Sequence, residues 1–324
     1  METPLDLGKD GRPSVIVVAG PTASGKSALA TILAERLNGV VINADAMQVY
    51  RELPILTAAP TPSDRLRAPH RLYGVMSAAE RCTVGRWRES ALAEIGAAHG
   101  QRRLPIVVGG TGMYIKALQD GLAAVPPIPQ AIRKKAHERL AVVGAAGMHA
   151  ELAFLDPTMA ARLSPGDSQR VLRAWQVRLA TGRSLADFQR AIPPDPVARF
   201  ITLLLLPPRE TIHAAIARRC QAMMANGALD EVRRLIELNL DPTLPALKAV
   251  GVRELGRHLR GETTSAEALA AFVQATQQYA KRQVTWFRHQ YVPVHTWHAQ
   301  YSESLDTEMF PIIRKLIDAV PQSV

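Results

Sequence analysis

The chain has 324 residues, 47% hydrophobic and 21% charged, enough apolar material for a principal core plus a smaller inserted or appended unit. Its formal net charge of +10 favours a polyanionic partner, because clustered Lys and Arg gain free energy by displacing counterions from phosphates. No apolar run is long enough to cross a bilayer, residues 1–13 lack the apolar stretch of a secretion signal, and Cys82 and Cys220 have neither metal-ligand spacing nor a disulfide framework. A cytoplasmic location is expected, with both cysteines serving in packing.

The run Ser14–Ala19 (SVIVVA) is short, β-branched and apolar, and predicts a strand; a glycine-rich turn follows, and Ser27–Leu37 then carries an apolar helical face. Val40–Ala44 (VVINA) predicts a second buried strand, Pro105–Val108 (PIVV) a third and Phe200–Leu206 (FITLLLL) a fourth. Continuous apolar strands separated by helices imply an α/β fold with a parallel sheet covered by helices on both faces. Between the third and fourth strands, the stretch from Val125-Pro126-Pro127-Ile128-Pro129 to Ile192-Pro193-Pro194 reads as helices only. It is too long for a crossover, so an inserted all-helical domain is expected at 125–195, with the catalytic core formed by 1–124 and 196–324. After Leu206 amphipathic helices continue through Tyr291, and the remaining C-terminal residues carry little signal.

Gly20-Pro21-Thr22-Ala23-Ser24-Gly25-Lys26-Ser27 fits G-x-x-x-x-G-K-[ST] between the first strand and its helix. In such a loop the backbone N–H groups and the helix N-terminus cradle phosphate oxygens, Lys26 adds a full positive charge, and the Ser27 hydroxyl is of the kind that ligates Mg²⁺. The expected fold is therefore a P-loop NTPase-like sheet. Hydrolases of that class place a metal-binding Asp after a second apolar strand, but here Ile106-Val107-Val108 runs into Gly109-Gly110-Thr111-Gly112. The acid stands instead at Asp45, after a different strand. This weakens an NTP-hydrolysis reading, while leaving open a small-molecule kinase with Asp45 as base, or an RNA-binding module whose P-loop has lost catalysis.

Asn43-Ala44-Asp45-Ala46-Met47-Gln48-Val49-Tyr50-Arg51 resembles the second motif of the tRNA dimethylallyltransferase (isopentenyltransferase) family, and Gly109-Gly110-Thr111-Gly112-Met113-Tyr114 resembles its third. Gln169-Arg170-Val171-Leu172-Arg173-Ala174, Lys248-Ala249-Val250-Gly251-Val252-Arg253 and Lys281-Arg282-Gln283-Val284-Thr285-Trp286-Phe287-Arg288 are similar to later motifs in the same order, so the resemblance spans roughly 14–290. It implies transfer of a dimethylallyl group from dimethylallyl diphosphate to N6 of the adenosine 3′ to a tRNA anticodon, with Mg²⁺, by a monomer. The P-loop and Arg219 would hold the diphosphate, although the adjacent Arg218 is not separable from it by sequence. Asp45 would be the base, and Thr111 would lie beside the reacting adenosine.

The same resemblance implies that Asp45–Gln48, Thr111, Arg133, Gln169–Arg173, Lys248–Arg253 and Lys281–Arg288 meet tRNA. Lys281, Thr285 and Arg288 share one helical stripe, and Val284, Phe287 and Tyr291 another, so one face can pack as the other meets phosphates. Arg133, Lys134, Lys135, Arg170 and Arg173 of the insert could clamp the anticodon stem-loop, a single-stranded target whose bases can be extracted. Departures from the family pattern are Ala46 for Ser, Leu56 for Gly, Ala59 for Lys, Gly74 for Asp and the absence of an extra arginine near Ala215.

Overall fold

A computed structural model describes residues 13–190 and 198–318. It divides into two compact units, Met1–Gln119 with Pro196–Val324, and Asp120–Asp195. In the first unit, strands β1 (Ser14–Ala19), β2 (Gly39–Asn43), β3 (His70–Arg71), β4 (Leu104–Gly109), β5 (Arg199–Leu205) and β6 (His295–Trp297) form one sheet of order β3-β2-β4-β1-β5-β6. Every pairing is parallel, with Ile16 opposite Ile106 and Ile201 in the two central ladders.

The apolar strands are buried on both faces because successive side chains point to opposite sides. Val15, Val17, Ala19, Ile42 and Val107 enter one core, while Ile16, Val18, Val41, Ile106 and Leu203 enter the other. The second core is closed by the helices Lys26–Arg36, through Leu29 and Leu33, and Asp306–Asp318, through Met309 and Ile313. The first is closed by Val84–Gly100, Arg209–Ala225, Ala228–Glu237, Val252–Leu259 and Ser265–Gln290, which contribute Trp87, Ile216, Val232, Leu255 and Phe272. Each such fully buried aliphatic or aromatic side chain contributes on the order of 1.5–3 kcal/mol.

The four strands expected from apolar runs occur with their ends shifted by about one residue. β3 and β6 were not anticipated. They are edge strands of two and three residues, built around His70 and His295 to Trp297, and so present no apolar run.

The second unit contains the helices Gln130–Leu155, Pro157–Ala160, Ser168–Thr181 and Leu185–Arg190. Gly144 interrupts the first with φ 68° and ψ −179°, a break that lets the two halves pack separately. Ala136, Met148, Leu152, Val171, Trp175 and Phe188 form the unit's own core. Asp167 caps Ser168–Thr181 by accepting the Arg170 N–H at 3.3 Å, and Gly182, at φ 69°, ends that helix. Ile192-Pro193-Pro194, expected to close the insert, and most of the N-terminal segment lie outside the described residues. Among the described residues, no helix is long and apolar enough to cross a membrane.

Candidate active site

Because all six strands run the same way, the loops that leave β1, β2, β4 and β6 emerge at one edge of the sheet. The loop after β1 carries the glycine-rich motif. Gly25 has φ 85°, and a Cβ there would lie 2.8 Å from the Tyr301 carbonyl oxygen and 2.9 Å from its nitrogen. The segment after β6 packs behind the loop: Tyr301 N–H donates to the Ser24 carbonyl at 3.1 Å, and Gln300 Nε2 to that of Ala23 at 3.0 Å. The main-chain N–H groups of Ala23, Gly25, Lys26 and Ser27 have no partner among the described residues. Those of Thr22 and Ser24 are not available, since Thr22 donates to Gln283 Oε1 at 2.8 Å and Ser24 to the Pro21 carbonyl at 3.3 Å. The cradle is therefore smaller than the motif alone implies.

The Lys26 ammonium donates to the Pro21 carbonyl at 3.1 Å. Burial lowers its pKa to about 8, with Asp45 opposing the shift and Arg219 adding to it. Such a group gains most from a ligand that brings negative charge. Ser27 is exposed in the first helical turn beside the free amides, where its hydroxyl would offer one oxygen ligand to a phosphate-borne Mg²⁺.

Asp45 follows β2 in a turn built by the buried Asn43. Asn43 Oδ1 accepts the Asp45 N–H at 2.7 Å, while Nδ2 donates to the carbonyls of Asp45 at 3.0 Å and Leu72 at 3.1 Å. Asp45 Oδ1 accepts the Met47 N–H at 2.9 Å, which leaves Oδ2 available. Thr111, after β4, accepts the Ala46 N–H on Oγ1 at 2.9 Å and donates its own N–H to the Ala44 carbonyl at 3.3 Å. These bonds tie the acid-bearing turn to the Gly-Gly-Thr-Gly turn. Tyr279 lies alongside: burial raises its phenol's pKa, the Asp45 charge raises it further, and a hydrogen bond with Thr111 opposes both.

Arg219 reaches the loop from Arg209–Ala225. It donates to Thr22 Oγ1 at 3.2 Å and to the Thr57 carbonyl at 3.3 Å, whereas Arg218 is exposed. Burial lowers the Arg219 pKa, and Asp45 opposes that shift. One carboxylate in the turn after β2, one lysine at the start of a helix and one arginine within Arg209–Ala225 thus interact electrostatically.

Residues 48–290 match the IPP transferase family, and residues 13–80 match Isopentenyl transferase. A tRNA dimethylallyltransferase of Rhodospirillum centenum is 54% identical over 279 residues, covering 85% of this chain and 88% of that protein. The chain belongs to the tRNA dimethylallyltransferase family. A tRNA dimethylallyltransferase of Paramagnetospirillum magneticum is 50% identical, covering 94% of this chain and 98% of its own. Among solved structures, the full-length tRNA isopentenylpyrophosphate transferase of Bacillus halodurans is 29% identical with a TM-score of 0.67, covering 94% of this chain and 97% of that one. A eukaryotic dimethylallyltransferase acting on tRNA is 26% identical with a TM-score of 0.80, covering 96% and 81%.

The segments that the tRNA dimethylallyltransferase resemblance assigns wholesale to RNA are each divided between buried and exposed positions. Val171 and Leu172 are buried in the insert's core, and Ala249, Val252, Gln283 and Phe287 are buried in the other unit, where their side chains pack internally. A helical segment presents only one stripe to solvent, and the rest packs. Gln169, Arg170, Arg173, Lys248, Arg253, Lys281, Arg282, Thr285 and Arg288 are exposed. Ala46, Met47, Val250, Val284 and Trp286 are half-buried against the core, and Gln48 uses Nε2 on the carbonyls of Thr57 and Ala58. Within the insert, burial and the neighbouring Arg133 both lower the Arg173 pKa, so these two cations repel each other.

Sequence reasoning missed two supports. Gln283 joins the loop after β1 to the turn after β4, since its Nε2 donates to the Gly110 carbonyl at 2.9 Å. Glu231, 1% exposed, accepts the N–H groups of Ile55 at 2.7 Å and Leu56 at 2.8 Å and so holds the segment that carries Thr57. A glutamate in a helical pattern signals neither role. Leu56, one of the departures, is itself buried against Gly251, where a Cβ would come within 2.8 Å of Leu56 Cδ2. That position is an anchored side chain instead of a flexible turn.

Proposed function

We propose that this enzyme transfers a dimethylallyl group from dimethylallyl diphosphate to N6 of the adenosine 3′ to a tRNA anticodon, in the cytoplasm, and releases diphosphate. The observation that carries the reading is the meeting of Asp45, Lys26 and Arg219 at one edge of the sheet, with Thr111 bonded into the Asp45 turn. An NTP-hydrolase reading expects a metal-binding carboxylate after β4, and Gly109-Gly110-Thr111 stands there; the kinase alternative is left to the test below.

In the reaction the allylic C–O bond breaks, N6 forms a bond to the same carbon, the electron pair of the C–O bond leaves with diphosphate, and the N6 proton passes to Asp45. Adenine N6 is a weak nucleophile whose lone pair is delocalised, and its N–H becomes acidic only as the new bond forms. A carboxylate of ordinary basicity suffices to take the proton late. Lys26, Arg219 and the free amides of Ala23, Gly25, Lys26 and Ser27 stabilise the negative charge growing on the diphosphate. Mg²⁺, held by the Ser27 hydroxyl and the diphosphate itself, would supply further charge neutralisation there. Thr111 hydrogen-bonds the substrate or the leaving oxygen. The exposed cations of Lys281–Arg288 and of the insert, Arg133, Lys134, Lys135, Arg170 and Arg173, engage the anticodon stem-loop.

The test is incubation with Mg²⁺, dimethylallyl diphosphate and unmodified tRNA bearing an adenosine at that position, followed by digestion and mass spectrometry. N6-dimethylallyladenosine is expected with the native chain. The variant Asp45→Asn keeps a side-chain oxygen for the Met47 N–H but loses the charge, and should lower kcat by about 10²–10⁴. ATP consumption with a small acceptor and no modified RNA would overturn the reading.

A further inference from the structure

A second cationic cavity lies on the other side of the helix that carries Gln283. It encloses about 270 Å³ between Arg209–Ala225 and Ser265–Gln290, and its lining includes Arg209, His213, Gln277, Lys281, Thr285 and Arg288. Among the described residues, no carboxylate lines it. Among the described residues, Arg209, Lys281 and Arg288 make no ion pair and no hydrogen bond. Paired and unpaired cations both occur elsewhere, since Arg36, Arg67, Arg86 and Arg260 are neutralised by Asp306, Glu35, Glu80 and Glu262 while Lys248 and Arg253 make no ion pair among the described residues; what marks this group is that three such cations share one concavity. The first turn of Arg209–Ala225 also meets the cavity, through Arg209, Ile212 and His213, and that helix start has no side-chain cap. The positive end of the helix adds to the field, although Glu210 of the same turn, outside the lining, offsets part of it.

Three cations that make no ion pair among the described residues surround one concavity and repel each other until an anion enters. We propose that this cavity seats a backbone phosphodiester of the bound RNA, with Arg209 and His213 as contacts that supplement Lys281, Thr285 and Arg288. The inference rests on the reading of the chain as a tRNA-modifying enzyme. Tyr279 and Gln283 of the same helix face the catalytic loops, so a phosphate held at this cavity sits one helix face away from the reacting base. Such a contact fixes register and carries no sequence information.

The experiment measures tRNA affinity across a KCl series for the native chain, Arg209→Glu and His213→Ala, with a melting curve for each. Arg209 is exposed and His213 half-buried, so both variants keep the core intact. Arg209→Glu should weaken tRNA binding by about three- to tenfold and reduce the salt slope by about 1, without changing KM for dimethylallyl diphosphate. Unchanged affinity and slope in both variants would overturn the assignment. So would loss of inorganic-phosphate binding, measured by calorimetry, with tRNA binding intact, which would mark a free-anion site instead. Native protein that binds tRNA with this salt dependence but forms no modified adenosine would sink the catalytic reading and leave the phosphate seat standing.

Discussion

Gln283 and Thr22 are 261 residues apart in sequence and joined by a 2.8 Å hydrogen bond between the amide oxygen of one and the backbone N–H of the other. The remaining half of the Gln283 amide donates to Gly110, so one buried side chain clasps the diphosphate loop to the turn that bears Thr111. Gln283→Glu would set an oxygen against the Gly110 carbonyl. Misplacement of about 1 Å between reacting groups costs up to roughly 10²-fold, so kcat should fall by about one to two orders of magnitude while RNA affinity stays within about twofold. Gly110→Ala should act alike, because its Cβ would lie 2.2 Å from Gln283 Nε2. Loss of RNA affinity with kcat preserved would show that Gln283 contacts RNA after all.

Lys26 makes donor binding pH-dependent. Its pKa is lowered to about 8 in the free protein, and diphosphate, being anionic, raises it. Binding just above pH 8 therefore takes up a proton, and donor affinity, full below pH 8, falls as pH rises through the gap between the free and bound values. Calorimetry in buffers of different ionisation enthalpy should register this uptake, and Lys26→Met should abolish it.

The same lysine affects stability with the opposite slope. Between about 8 and 10.5 the unfolded chain binds more protons than the folded one, so stability in the absence of donor rises with pH across that window. Lys26→Met should flatten the rise in denaturant titrations. An unchanged slope would place the lysine in water.

Glu231 holds the Ile55 and Leu56 amides that precede Thr57, and Thr57 in turn accepts from Arg219 and Gln48. Glu231→Gln keeps one acceptor and leaves a buried N–H unpaired, at about 1–3 kcal/mol. The melting temperature should drop by roughly 2–4 °C per kcal/mol lost, and KM for dimethylallyl diphosphate should rise as Arg219 loses its seat. Burial raises the Glu231 pKa, with the Leu56 and Ile55 amides and Arg234 opposing. Across the window above the ordinary carboxylate value the folded chain binds more protons, so its contribution to stability declines as pH rises there, and the Gln variant should lack that decline.

The parallel sheet was legible in the sequence where strands are buried on both faces. Val15–Ala19 is an unbroken apolar run, and Phe200–Leu206 is interrupted only by Thr202, because helices cover both sides. The edge strands at His70 and His295 were not legible, since an edge of two or three residues needs no such run. The phosphate loop and Asp45 were legible as local motifs. Arg219 was separable from Arg218 only through its bond to Thr22, which depends on the rotation of a helix nearly two hundred residues downstream.

The sequence by itself determined the chemistry at hand: a phosphate cradle, one carboxylate after β2, a threonine turn after β4 and an excess of cations. Those features are local, because backbone conformation and side-chain type within a few residues define them. Tertiary structure decided which groups are free to act. It consumed the Thr22 amide with Gln283, turned Val171, Leu172 and Phe287 inward, backed the loop with Gln300 and Tyr301, and left Arg209, Lys281 and Arg288 with no ion pair among the described residues. The reason is that burial and pairing depend on contacts between segments far apart in the chain, and no local pattern encodes them.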